Sequence, residues 1–228
     1  MNLAPILISL KTASLSIVIT FFLGVAAAKL VAGMRREKIK MILDGILTLP
    51  LVLPPTVAGF FLLYIFGVKR PVGLFFVDYF GIKIAFSWGA TVLAAVVISF
   101  PLMYRSARGA FEQVDQTLVY AARTLGMSEW RIFWRVVMPL ALPGVASGGV
   151  LAFARGLGEF GATAMIAGNI AGKTRTLPLA IYSAVASGEM REAGDYVMII
   201  LLISFVVVVS MNYFTAKERK FMAGGFRK

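Results

Sequence analysis

Long apolar runs alternate with short basic stretches along this chain. The first run, residues 5–30, carries Lys11 near its start and no further charge until Lys29 at its end. As a helix it is long enough to cross a hydrocarbon core about 30 Å thick, and Lys11 can snorkel outward. Lys29, Arg35, Arg36, Lys38 and Lys40 follow. The second run, 41–66, contains Pro50, Pro54 and Pro55. Each proline removes a backbone donor, so this span is expected to be kinked or broken. A break survives where the backbone faces protein or a water-filled cavity. A loop with Lys69, Arg70, Asp78 and Lys83 leads to the third run, 85–104. A basic loop, 105–138, precedes the fourth run, 140–166, which carries Arg155 and Glu159. A loop over 167–195, a fifth run over 196–214 and a short basic tail over 217–228 complete the chain. Within the last loop, Leu177–Ala186 is weakly apolar but too short to span, and is expected as an external or re-entrant helix. The pattern predicts an all-α integral membrane protein, one domain over 1–228, with about five transmembrane helices.

Composition agrees. Apolar residues make up 59% of the chain, against about 45–50% in soluble domains. With no Cys there is no disulfide framework, and with no His the commonest metal ligand and general base is missing. No nucleophile–base pair or ligand cluster stands out, so neither catalysis nor a bound metal or cofactor is expected. The first run lacks an early positive charge and exceeds a signal peptide's apolar core, so it reads as a retained span. The net charge of +12 could suggest nucleic acid, but its distribution points to topology. Lys and Arg concentrate in the first loop, the 105–135 stretch and the tail. The alternate side has Lys11, Lys69, Arg70, Lys83, Lys173, Arg175 and Arg191 over a greater length. The positive-inside rule makes the denser side cytoplasmic, with the N-terminus outside and the C-terminus inside.

Tyr120–Gly144 organises the rest. Arg123, Glu129, Arg131 and Arg135 interrupt it, and a charge at mid-bilayer costs about 2.5–3.5 kcal/mol on insertion scales, so it is not expected to span. Ala121, Ala122, Leu125, Trp130, Phe133 and Trp134 supply an apolar stripe at helical spacing. Gly126 marks a turn, and Pro139 and Pro143 are expected to end the run. One reading is a helix lying on lipid headgroups. The other follows from spacing. Ala121 and Ala122, then Gly126, then Val136, Met138 and Pro139, resemble the EAA loop of ABC-importer permeases, with Tyr120 in place of the usual Glu. The resemblance implies a coupling helix that docks on an ATPase subunit through Ala121, Ala122, Gly126, Met127 and Pro139.

Further stretches carry the likeness along the chain: PLVLPPTVAGF from Pro50, SFPLM from Ser99, LAFARGLGEFGAT from Leu151 and GKTRTLPLAIY from Gly172. Together they resemble the molybdate permease subunits of ABC importers, with the sulfate branch as the alternative. The resemblance implies a type I ABC importer transmembrane domain that carries molybdate, or tungstate, inward. It also implies a homodimer in lipid, two ATP-binding subunits that use ATP and Mg, and an external oxyanion-binding protein, in a bacterial or archaeal cytoplasmic membrane. An ATP-independent anion transporter or channel would lack the coupling stretch. Gly168–Thr174 reads GNIAGKT, one residue short of a P-loop and after a membrane segment, so ATP hydrolysis is assigned to a partner. This loop, with Lys173 and Arg175, is either solvated or meets the external binding protein. Arg155 and Glu159 form either an ion pair that lowers insertion cost or, with Pro54 and Pro55, part of an anion pathway.

Overall fold

The computed structural model describes residues 2–34 and 36–225, with side chains through Ser210; Arg35 and the last three residues of the expected tail lie outside. The described residues form eleven α-helices and one π turn: α1 Ala4–Ala32, α2 Glu37–Val52, α3 Pro55–Phe66, α4 Pro71–Phe80, α5 Trp88–Glu112, α6 Gln116–Thr124, α7 Glu129–Ile132, the π turn Phe133–Val137, α8 Met138–Leu157, α9 Gly161–Ala167, α10 Leu177–Ala186 and α11 Met190–Gly225. Four helices are long and apolar enough to cross a membrane: α1, α5, the continuous Glu129–Leu157 helix, and α11 over Met190–Ser210. The bent pair α2–α3 makes a fifth by length and composition.

The centre is α1, α5 and α8, packed through small residues. Ser9, Thr12, Ser16, Thr20, Gly24 and Ala28 recur at helical spacing on α1 and are buried. Lipid tails are as apolar as leucine, so helices in a membrane are held by close approach and interhelical hydrogen bonds. Thr12 and Thr91 hydroxyls lie 3.0 Å apart, and Thr20 and Ser99 hydroxyls 3.2 Å apart, across α1 and α5. A Cβ on Gly24 would come within 3.0 Å of the Met103 Cβ, and one on Gly144 within 2.7 Å of the Ala110 Cβ. Side chains at either glycine would push α5 away. A second cluster joins α3 and α9 to α5 through Ala58, Leu62, Ala90, Ile98, Ala162 and Ile166. A third joins α10 to α11 through Leu177, Ala180 and Tyr196. The Leu177 N–H donates to Ser9 Oγ at 2.7 Å, tying α10 to α1.

Several expectations change. The proline-rich span is broken, bending 109° between α2 and α3. Pro54 leaves the turn extended, and Pro55 starts α3, where its missing N–H costs nothing. The loop before residue 83 contains α4, opened by Pro71 and closed by Gly81 at φ 66°. The third span continues to Glu112, because Ala107 and Phe111 still pack inward while Arg105 faces out. Pro139 and Pro143 do not end the fourth helix, which starts at Glu129 and takes in part of the stretch expected outside the membrane. The preceding π turn, where the Met138 N–H bonds five residues back to the Phe133 carbonyl, relaxes the ladder ahead of Pro139. The helix stops at Leu157, short of Ile166, because Gly158–Phe160 turns the chain into α9. The last span begins at Met190, and helix continues into the expected tail, to Gly225.

Candidate functional site

The candidate coupling stretch is a capped helix beside a glycine turn. Asp115 starts α6 by accepting the Thr117 N–H at 2.8 Å, which holds its carboxyl below the ordinary carboxylate range. Gly126 ends it at φ 75°. Its N–H bonds to the Arg123 carbonyl at 2.9 Å, and the Met127 N–H bonds to the Ala122 carbonyl at 3.1 Å. This pair of bonds is a Schellman close, which favours glycine at the left-handed position. Across the turn, Arg123 meets Glu129 with two bonds, Nε to Oε1 at 2.6 Å and Nη2 to Oε2 at 3.1 Å. That partner raises the already high pKa of Arg123.

The five sequence-derived coupling residues face two ways. Ala122 is buried with Ala28, Val31, Phe111, Ile132 and Phe133, and Met127 packs against the same cluster. Ala121, Gly126 and Pro139 are exposed. So is Leu125, at 81% the most open large apolar side chain of the stretch. Sequence reasoning placed Leu125 in the helix's apolar stripe, and only the structure turns it outward. It also did not foresee Lys29, whose Nζ lies 4.0 Å from the Phe133 ring centre and 4.5 Å from that of Trp130. These cation–π contacts anchor the end of α1 to the coupling stretch.

The second candidate is where two breaks meet. A Cβ on Gly161, at the start of α9, would lie 3.0 Å from Pro55 Cβ, and one on Gly59 of α3 would lie 2.7 Å from Ala162 Cα. Pro54 and Pro55 are thus brought beside the turn that holds Glu159. Glu159 is 2% exposed; Oε1 accepts the Ala162 N–H at 2.8 Å, and Oε2 lies 2.8 Å from Arg155 Nη1. Arg155 keeps about a third of its side chain accessible. The pair has the expected spacing, but Glu159 sits just past the end of α8, so it bridges two helices.

The Lys173–Arg175 loop is more constrained than a flexible glycine loop. The Ile170 carbonyl accepts the N–H groups of Lys173, Thr174 and Arg175. Thr174 is buried, and its hydroxyl accepts the Ile170 N–H and reaches the Gly168 carbonyl. Arg175 donates to Asn169 Oδ1 at 2.8 Å, and Lys173 is exposed. The loop follows α9, not a strand, and the inward Thr174 is unlike a P-loop hydroxyl aimed at phosphate.

Residues 20–220 match the family described as binding-protein-dependent transport system inner membrane component. The chain belongs to that family. It is 45% identical over 207 residues to the molybdenum transport system permease protein ModB of Escherichia coli K12, covering 90% of each chain. It is 37% identical over 226 residues to ModB of Haemophilus influenzae, covering 99% of this chain and 98% of that one. The putative molybdenum permease YvgM of Bacillus subtilis is 42% identical over 206 residues, covering 90% and 89%. Among solved structures, the inward-facing MetNI methionine ABC transporter matches with a TM-score of 0.74 at 16% identity, covering 93% and 94%. A bacterial alginate ABC transporter, in complex with a pentasaccharide-bound periplasmic protein, matches with a TM-score of 0.72 at 14% identity, covering 94% and 78%. These likenesses establish the type I ABC importer fold, and the family is one of multi-pass inner-membrane transport subunits.

Proposed function

We propose that this chain is the permease subunit of an ATP-driven importer that carries molybdate, with tungstate as its nearest analogue, across the cytoplasmic membrane. The observation that carries this is 37% to 45% identity, over 90% to 99% of the chain, to permeases named for molybdenum transport. In this reading the chain pairs with a second copy, because one coupling stretch and one set of broken helices make half of an alternating-access device. Two ATP-binding subunits, which use ATP and Mg, dock on the exposed Ala121, Leu125 and Gly126 of the coupling stretch. An external oxyanion-binding protein meets Lys173 and the neighbouring Arg175. The N-terminus lies outside and the C-terminus inside, which supplies the coupling stretch to the side where ATP is.

Arg155 is the pathway cation in this reading. Its planar fork suits two oxygens of a tetrahedral dianion. Glu159 offsets its charge, so a passing ion is attracted without being trapped. The test is reconstitution of the permease with its ATPase and binding protein in lipid, followed by ATP hydrolysis against molybdate, tungstate and sulfate. Molybdate and tungstate should stimulate hydrolysis several-fold more than sulfate. Stimulation by sulfate alone would overturn the substrate assignment.

A further inference from the structure

Below Arg155, one face of α8 leads into a groove against α5. Leu140, Gly144, Ser147, Leu151 and Arg155 fall within an arc of about 80° on the helix, at 3.6 residues per turn. The lower three of these line a groove whose opposite wall is α5, with Arg105, Ser106, Gly109 and Gln113. The groove is open at Gly109, where a Cβ would meet nothing within 4 Å, while Gly144 lets α8 close on Ala110 at its floor; Ser106 and Ser147 add hydroxyl-bearing residues to the lining. Its charged residues are Arg105 and Asp115. Asp115 sits at the lower lip, with Oδ1 turned to the Thr117 N–H as the α6 cap. Arg105 is exposed, and among the described residues no carboxylate lies within 4.0 Å of its guanidinium.

We propose that this α5–α8 groove is an exit station for the transported oxyanion, with Arg105 as its cation and Ser106, Ser147 and Gln113 as neutral donors. The proposal rests on the molybdate reading above and extends it to a second site on the same helix face as Arg155. A tetrahedral dianion suits such a lining: one guanidinium, hydroxyls that rotate to donate, and an amide. The nearby Asp115 carboxylate keeps the site weak, as release to the cytoplasm requires.

The chain has no cysteine, so an introduced thiol is the only one on this subunit, and labelling is read on the permease band alone. In the assembled transporter in nanodiscs, Ser147→Cys would be labelled by methanethiosulfonates carrying either a sulfonate or a quaternary ammonium group. The expected result at low ionic strength is a rate ratio favouring the anionic reagent about tenfold over that of a free thiol, erased when Arg105→Gln is added. Molybdate should slow the labelling, and chloride at equal ionic strength should not. Gln113→Cys on the facing wall repeats the measurement should Ser147→Cys disturb helix packing. A ratio indifferent to Arg105→Gln, the absence of molybdate protection, or a thiol sealed from both reagents in the complex would each overturn the groove assignment. Molybdate-stimulated ATP hydrolysis by the parent transporter, which keeps Arg105 and Ser147, separates the outcomes. Stimulation without protection sinks only the groove, whereas absent stimulation sinks the substrate reading.

Discussion

The Tyr104 hydroxyl donates to Asp44 Oδ1 at 3.0 Å, and that bond joins α5 to a helix that buries no residue of its own. Arg108 also pairs with Asp44, and Lys40 reaches Glu112 Oε1 at 3.0 Å, where Arg108 Nε lies 2.9 Å away. Against α5, α2 thus depends on this polar clamp, together with Leu43 and Leu47 at the edge of the core. Tyr104→Phe should cost about 1 kcal/mol, the ordinary net worth of one hydrogen bond. Arg108→Met should cost more, because it leaves Asp44 and Glu112 without their shared cation. Thermal unfolding of the purified protein measures both. A cysteine pair across α2 and α5 should also cross-link less specifically in Arg108→Met. Equal melting of Arg108→Met and the parent would show that the clamp does not hold α2.

The coupling turn separates backbone strain from docking. A Cβ on Gly126 meets nothing within 4 Å, so space is not what requires glycine there; φ 75° is. Gly126→Val should therefore lose about 1–2 kcal/mol of local stability, while Gly126→Asn, which tolerates the left-handed region, should lose less. Leu125→Asp and Ala121→Trp alter exposed positions and should leave melting unchanged. Both should reduce co-purification of the ATPase subunit several-fold. Wild-type recovery of the ATPase by both variants would remove the docking role.

Orientation is open to the same absence of cysteine. In intact cells Lys173→Cys should react with an impermeant thiol reagent added outside, and Ser128→Cys should react only after permeabilisation. The reverse pattern would invert the topology derived from the Lys and Arg distribution.

Much of this fold was legible from apolar run length, because the bilayer sets that length. The α1 helix and the ten-residue α10 emerge where hydropathy put them. The break at Pro54 was legible too, since missing donors leave few alternatives to a bend. Local spacing hid what depends on neighbours. Pro139 reads as a stop, yet a π turn lets the helix run through it. The α4 helix carried its signals, Pro71 at one end and Gly81 at the other, but they lay in a region read as loop. At the candidate sites, the Ala-Ala-Gly spacing marked the turn at Gly126 without revealing that Ala122 faces the core and Leu125 faces out. The meeting of Gly161 with Pro55 joins residues more than a hundred positions apart, and no local pattern encodes it.

That meeting sharpens the test of Arg155. Glu159 caps the start of α9 with one oxygen and pairs with Arg155 through the other. Removing its charge alone leaves a cation at membrane depth, partly relieved because Arg155 is accessible along one side. Glu159→Gln should therefore express less well than the parent, although its amide oxygen can still accept the Ala162 N–H. The double variant Arg155→Met with Glu159→Gln keeps volume and cap, and leaves no lone charge behind. It should express and melt like the parent. Its ATPase, once assembled, should still turn over, because the coupling turn is untouched. Molybdate uptake into vesicles should fall at least tenfold, because no guanidinium remains at that depth to meet a dianion. If the well-folded double variant takes up molybdate at the parent rate, the ion pair serves only to seat α9 against α3, and the anion takes a path that does not involve Arg155.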